Sequence, residues 1–210
     1  MKFIIYIDTS IKGTGVAICS VGNKACNPIL WSIHHFEKNE SSLMLSKFIE
    51  DGLKKTNLSL EGLVGIVTSI GPGSYTGIRV GLSWVYGMAF SQRAPIKTCG
   101  VSSFKLVSRY LCSDSAKRSI VLLGNTPKFG FMSCSLDKDS SQVSLLDLSS
   151  DIFDKQSIEK TADIYVDESW QQMKEHLTRH QFTYISVKRS WIAAKSFQSM
   201  LRYIDEDQVL

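Results

Sequence analysis

The stretch GPGSYTGIRVG, Gly71 to Gly81, follows the apolar and β-branched run LVGIVTSI at 63–70. Such a run ahead of Gly-Pro-Gly reads as a buried strand that stops at a sharp reversal. Pro72 fixes φ and Gly73 tolerates positive φ, so the chain turns within three residues. Ser74 then stands where an N-cap oxygen serves the first turn of a helix, expected from about Tyr75 to Phe90. Strand, glycine turn and helix in immediate succession indicate an α/β protein. Amides at such a helix start can hold an anion. However, no Gly-Lys-Ser/Thr follows, and glycines at 71, 73 and 77 miss the dinucleotide spacing. A structural turn is preferred to a phosphate cradle.

The helix itself is apolar nearly all round. Ile78, Leu82, Val85 and Ala89 line one side, Val80, Trp84 and Met88 another, and Arg79 is its only charge. It must be covered on more than one face. The sheet covers one; the other falls to the amphipathic helix expected over Met44–Leu53 or to a partner subunit. Gly77 and Gly81, four apart, would admit a second backbone. By periodicity the expected partner contacts are Leu45, Phe48, Gly77, Ile78, Gly81, Leu82 and Tyr86, and a leucine at Gly81 is expected to block association.

Upstream, FIIYID at 3–8, TGVAICSV at 14–21 and ILWSIHHF at 29–36 read as three antiparallel strands joined by short links. Asp8-Thr9-Ser10 closes the first, and Gly13-Thr14-Gly15 opens the second. An acid there and a glycine hairpin meet phosphate and metal in actin-like ATPases; capping of the turn by Asp8 is the equal alternative. Downstream, a strand at Ile96–Cys99 and a helix carrying Phe104, Val107, Tyr110 and Leu111 close a lobe over 1–113. A smaller lobe over 114–210 is expected, with strands at 119–124, 129–136, 142–148, 163–166 and 183–187 and helices at 150–160, 169–179 and 190–203. All glycines and prolines lie at or before Gly130.

Bulk properties are those of an ordinary globular chain: 210 residues, 43% hydrophobic, 21% charged and a net charge of +4. The mild basic excess permits contact with nucleic acid without requiring it. No segment reads as a signal or membrane span. Five scattered cysteines without a CxxC suit reduced cytosolic thiols better than disulfides or zinc. His34 and His35 point to opposite faces of a strand. His176 and His180 share a helix face but lack the Glu of a zinc protease and a third ligand.

IDTS at 7–10, GTGVAI at 13–18 and above all GPGSYTGIRVGLS at 71–83 resemble the TsaB (YeaZ-like) family, accessory subunits of bacterial tRNA threonylcarbamoyladenosine (t6A) biosynthesis related to TsaD/glycoprotease. The motif residues are Asp8, Gly71, Gly73, Ser74, Tyr75, Thr76, Gly77 and Arg79. The resemblance implies an actin-like ASKHA (ribonuclease H-like) fold of two lobes, the C-terminal one small and divergent. It implies a cytoplasmic, non-catalytic scaffold that pairs with a TsaD-like transferase and a TsaE-like ATPase, forms a homodimer when alone and reaches tRNA through the complex. ATP and metal would belong to the partners, leaving this chain without catalytic, cofactor or metal residues. The alternatives are an active ASKHA ATP-dependent transferase or kinase, and a metalloprotease. Against the first, no glycine follows 130 and Gly124-Asn125-Thr126-Pro127-Lys128 carries no acid. Against the second, ligands are wanting.

Overall fold

The computed structural model describes residues 1–21, 28–36, 41–91, 95–107, 119–125, 128–135, 141–148 and 162–203. The chain divides into two compact units, Met1–Ser103 with Ser196–Leu210, and Phe104–Lys195. The boundary expected at 113, and the helix expected at 150–160, lie outside the described residues.

The first unit is built on a five-stranded sheet of order β3-β2-β1-β4-β5. Its strands are β1 (Phe3–Asp8), β2 (Thr14–Ser20), β3 (Ile29–His35), β4 (Leu63–Ser69) and β5 (Lys97–Val101). The first three form an antiparallel meander, while β4 and β5 run parallel to β1. The parallel strands require crossovers, which α1 (Ser41–Thr56) and α2 (Tyr75–Ser91) supply. Every residue of β1 is buried, as suits a central strand covered on both faces. Phe3, Ile5 and Ile7 join Val16, Ile18 and Ile66 in a core completed by Leu45, Phe48 and Ile49 of α1 and Val85 of α2. Alternation then sends Ile4, Tyr6 and Asp8 to the opposite face. That parity sets the site: the one acid of β1 sits at its end, on the face turned away from α1 and α2.

The second unit repeats the strand plan. Its sheet has the order β10-β9-β6-β7-β8. Strands β6 (Ser119–Gly124), β7 (Phe129–Ser135) and β8 (Ser141–Asp147) form the meander. Strands β9 (Asp163–Asp167) and β10 (Ile185–Val187) add in parallel. Ile120, Leu122, Ile164 and Val166 pack with Trp170 and with Met173 and Leu177 of α3 (Gln171–Arg179). The two α3 residues are four apart, which puts them on one helix face. The last described helix, α4, runs Arg189–Tyr203. No helix among the described residues is long and apolar enough to cross a membrane.

Candidate functional site

The end of β1 is a buried polar node. Asp8 Oδ1 accepts from Ser10 N–H at 3.1 Å and from Ser10 Oγ at 2.8 Å. Its Oδ2 accepts from Ser196 Oγ at 3.0 Å. The one proton of Ser10 Oγ is committed to Asp8, so Ser103 Oγ donates to Ser10 Oγ. Ser103 N–H in turn donates to Gly71 O at 3.0 Å. Asp8, Ser10, Ser103 and Ser196 are all buried. One carboxylate thus joins the end of β1, the glycine turn, the segment just after β5 and the middle of α4. Without it, Ser10 N–H and two hydroxyl donors would be buried unpaired, at roughly 1–3 kcal/mol each.

The glycines of the 71–81 stretch serve the same node. Gly71 supplies the positive φ, +87°, that the sequence reading assigns to Gly73. Gly73 instead meets Ser10: a Cβ there would lie 1.9 Å from the Ser10 carbonyl oxygen, and Ser74 N–H donates to that oxygen. A Cβ at Gly77 would lie 1.9 Å from Thr9 O, and one at Gly81 would lie 2.7 Å from Thr9 Oγ1. Thr9 Oγ1 donates to Gly77 O at 2.7 Å, and Ser74 caps α2 by accepting from Gly77 N–H at 3.1 Å. The backbone admitted by Gly77 and Gly81 is therefore the chain's own strand end. A leucine at Gly81 would strike Thr9 and disturb the fold, so it does not probe association.

An actin-like nucleotide site needs open space above this acid and the neighbouring hairpin, and the residues present do not fit a nucleotide. The Phe197 ring occupies the ground over Gly15, where a Cβ would lie 3.0 Å from it. The same ring stands 5.1 Å from His34, the β3 partner of Gly15. Both Asp8 oxygens are already engaged. In the second unit the equivalent hairpin is filled too: a Cβ at Gly124 or Gly130 would lie 2.7 or 2.2 Å from the Trp170 ring. Arg189 closes the end of β6, with Nη2 donating to Gly124 O at 2.6 Å and Nε to the buried Asp167 at 2.9 Å. Among the described residues no group of three potential ligands could hold a metal ion. The His176 and His180 rings are tilted 38° to each other with centroids 4.5 Å apart, and no third ligand joins them among the described residues.

The expected partner contacts separate by burial. Leu45 and Phe48, 1% and 7% exposed, belong to the core of the first unit, where each contributes about 2 kcal/mol. They are spent on folding. Ile78 and Leu82 are half-buried, whereas Tyr75, Thr76, Arg79 and Tyr86 are exposed. A groove of about 480 Å³ runs beside α2, lined by Leu45, Thr76, Arg79, Val80, Ser83 and Trp84. Sequence reasoning missed Ser196, Phe197, Trp170 and Arg189. Asp8 and Ser196 are 188 residues apart, and no local pattern announces such a contact.

Replacing Asp8 grades the node. Asp8→Asn keeps an acceptor for Ser10 and gives Ser196 an amide donor, so it is expected to cost about 1–2 kcal/mol in urea unfolding. Asp8→Ala orphans all three donors and is expected to cost at least about twice as much. His34 adds a pH dependence. Its Nε2 is buried without a partner among the described residues. Burial holds the imidazole below its ordinary value, outweighing Asp8 and a backbone hydrogen bond with Lys12, which pull the other way. A lowered folded-state value means that the stability is present above the unfolded value of about 6.5 and is lost as pH falls through the folded one. Unfolding free energy should therefore decline on acidification below about pH 6.5, and His34→Gln should flatten that part of the curve.

Comparison with known proteins follows the same lines. Residues 36–122 match the family described as TsaD, tRNA N6-adenosine threonylcarbamoyltransferase. Two curated relatives are TsaB, tRNA threonylcarbamoyladenosine biosynthesis proteins, from Buchnera aphidicola. The one from subsp. Schizaphis graminum is 25% identical over 122 residues, covering 58% of this chain and 54% of the relative. The one from subsp. Baizongia pistaciae is 30% identical over 95 residues, covering 45% and 40%. The chain thus spans about half the length of the curated relatives it matches. Among solved structures, YeaZ from Pseudomonas aeruginosa shares the fold with a TM-score of 0.67 at 17% identity, covering 100% of this chain and 98% of its own. A Bacteroides thetaiotaomicron protein with an actin-like ATPase fold aligns with a TM-score of 0.50 at 8% identity, covering 95% of both chains. The chain is thus similar to two TsaB proteins over part of its length, carries a segment that matches the TsaD family and shares its fold with YeaZ.

Proposed function

We propose that this chain is a non-catalytic subunit of the machinery that forms threonylcarbamoyladenosine at position 37 of tRNA, where it activates a TsaD-like transferase alongside a TsaE-like ATPase. The observation that carries the reading is the engagement of both Asp8 oxygens by Ser10 and Ser196 within the chain's own fold. An acid that serves as a structural anchor is not free to position metal or phosphate. The rings over Gly15 and over Gly124 and Gly130 support the same reading, because glycine hairpins serve a nucleotide only while backbone can approach it. On this reading ATP, metal and the transfer chemistry belong to the partners, and tRNA is reached through the complex. The exposed side of α2 is the surface offered to the transferase.

Reconstitution with purified TsaD-like and TsaE-like proteins, tRNA and a threonylcarbamoyl donor tests this. Modified tRNA should form only when the chain is added, and Asp8→Asn should support it to within about twofold, because a structural acid tolerates its amide. A complex that assembles with Asp8→Asn yet yields no product would assign Asp8 to the chemistry and contradict the proposal.

A further inference from the structure

Helix α3 carries two histidines that the fold holds in a fixed relation. Met173 and Leu177 are fully buried in the core of the second unit and anchor the helix by one face. His176 and His180, also four apart, lie along the adjoining stripe, His176 half-buried and His180 exposed. Their rings are already together, with centroids 4.5 Å apart. The backbone beneath them is closed by hydrogen bonds. His180 N–H donates to His176 O at 3.1 Å, Gln181 N–H to Thr178 O at 3.1 Å and Phe182 N–H to Leu177 O at 2.9 Å. Gln181 takes a positive φ of 58° and turns the chain so that Phe182 packs back on the core.

The surroundings suit a cation held by nitrogen. The last carbonyls of a helix carry partial negative charge. Lys174 is tied at the other end of the helix, its Nζ donating to Glu168 O at 2.8 Å. Arg179 is exposed, where water and salt screen its charge. Glu175, the one acid of α3, accepts from Gln171 Nε2 at 3.0 Å. Two imidazoles one helical turn apart reach one ion, because their Cβ atoms are only about 5–6 Å apart. Imidazole suits nickel, copper and zinc, with affinity in the order Ni(II) < Cu(II) > Zn(II). A structural zinc site would need four protein ligands. Two ligands leave the other positions to water, which makes an exchangeable site.

We propose that His176 and His180 form a two-imidazole site for a divalent transition ion at the C-terminal end of α3, with water completing the coordination. His176 Nε2 is buried, so His180, the exposed partner, is the ring that turns to share the ion. Binding displaces two waters from the ion, and any proton on a coordinating nitrogen leaves to solvent. The chelate links side chains across the last turn of α3, so the bound ion stabilises the second unit. The site is separate from the subunit role proposed above and does not depend on it.

Nickel(II) chloride titrated into the isolated chain, with the backbone amides followed by NMR, tests this. Amides of residues 172–182 should shift or broaden along one saturable curve, and the melting temperature should rise with nickel. His176→Ala and His180→Ala, each checked for an intact fold by circular dichroism, should each weaken binding at these amides roughly tenfold or more. Either ligand alone lacks the effective concentration that the other supplies. Combining His180→Ala with Thr178→His keeps two histidines but sets them two apart, on different sides of the helix. That double variant should bind as weakly as His180→Ala. Effects at residues 172–182 that survive both single substitutions, or nickel effects seen only elsewhere in the chain, would overturn the proposal. So would wild-type affinity in the double variant.

Discussion

Asp8 is a buried carboxylate that must be satisfied, and the first unit is arranged to satisfy it. Ser10 covers one oxygen from two residues along, and Ser196 covers the other from the far end of the chain. Ser103 extends the network to the carbonyl of Gly71, which fixes the turn that launches α2. In an actin-type enzyme an acid at this strand end faces a metal and a phosphate. Here serine donors engage both carboxylate oxygens. Internal donors make this carboxylate a structural tie, and the ring of Phe197 packs over the neighbouring Gly15.

The glycines divide by what approaches them. Gly73 and Gly77 lie beneath carbonyl oxygens of Ser10 and Thr9, and Gly81 lies beneath the Thr9 hydroxyl. Gly15, Gly124 and Gly130 lie beneath aromatic rings, and Gly87 beneath nothing. The first set seats one helix on one strand end. The second set lets aromatic side chains pack directly against hairpin backbone. The last points outward. One property, the absence of a Cβ, therefore seats a helix at some positions and admits aromatic rings at others.

Much of this architecture is legible in the sequence because it is local. The buried run at 3–8, the meander and the strand–turn–helix at 63–91 follow from alternation, chain reversal and helical period, and the actin-like class follows from the resemblance that GPGSYTGIRVG carries. The role of Gly81 is not legible. A glycine four residues from another permits close approach, but spacing does not say whether the approaching backbone belongs to the same chain. Leu45 and Phe48 mislead for a related reason, since periodicity finds an apolar face without saying what covers it. Ser196, Phe197, Trp170 and Arg189 are invisible to local reading. Their contacts close across the tertiary structure, and each residue type is ordinary where it stands.

The central claim is that the end of β1 and its glycine hairpin are filled by the chain itself. It is tested most directly by titrating magnesium-ATP into the isolated chain and following the backbone amides of residues 9–15, 71 and 73–77 by NMR. The expected result is that these resonances do not move in a saturable way at millimolar nucleotide. Saturable, magnesium-dependent shifts at Thr9, Ser10 and Gly15 would contradict it, because they would show that Ser196 and Phe197 yield their places to a ligand.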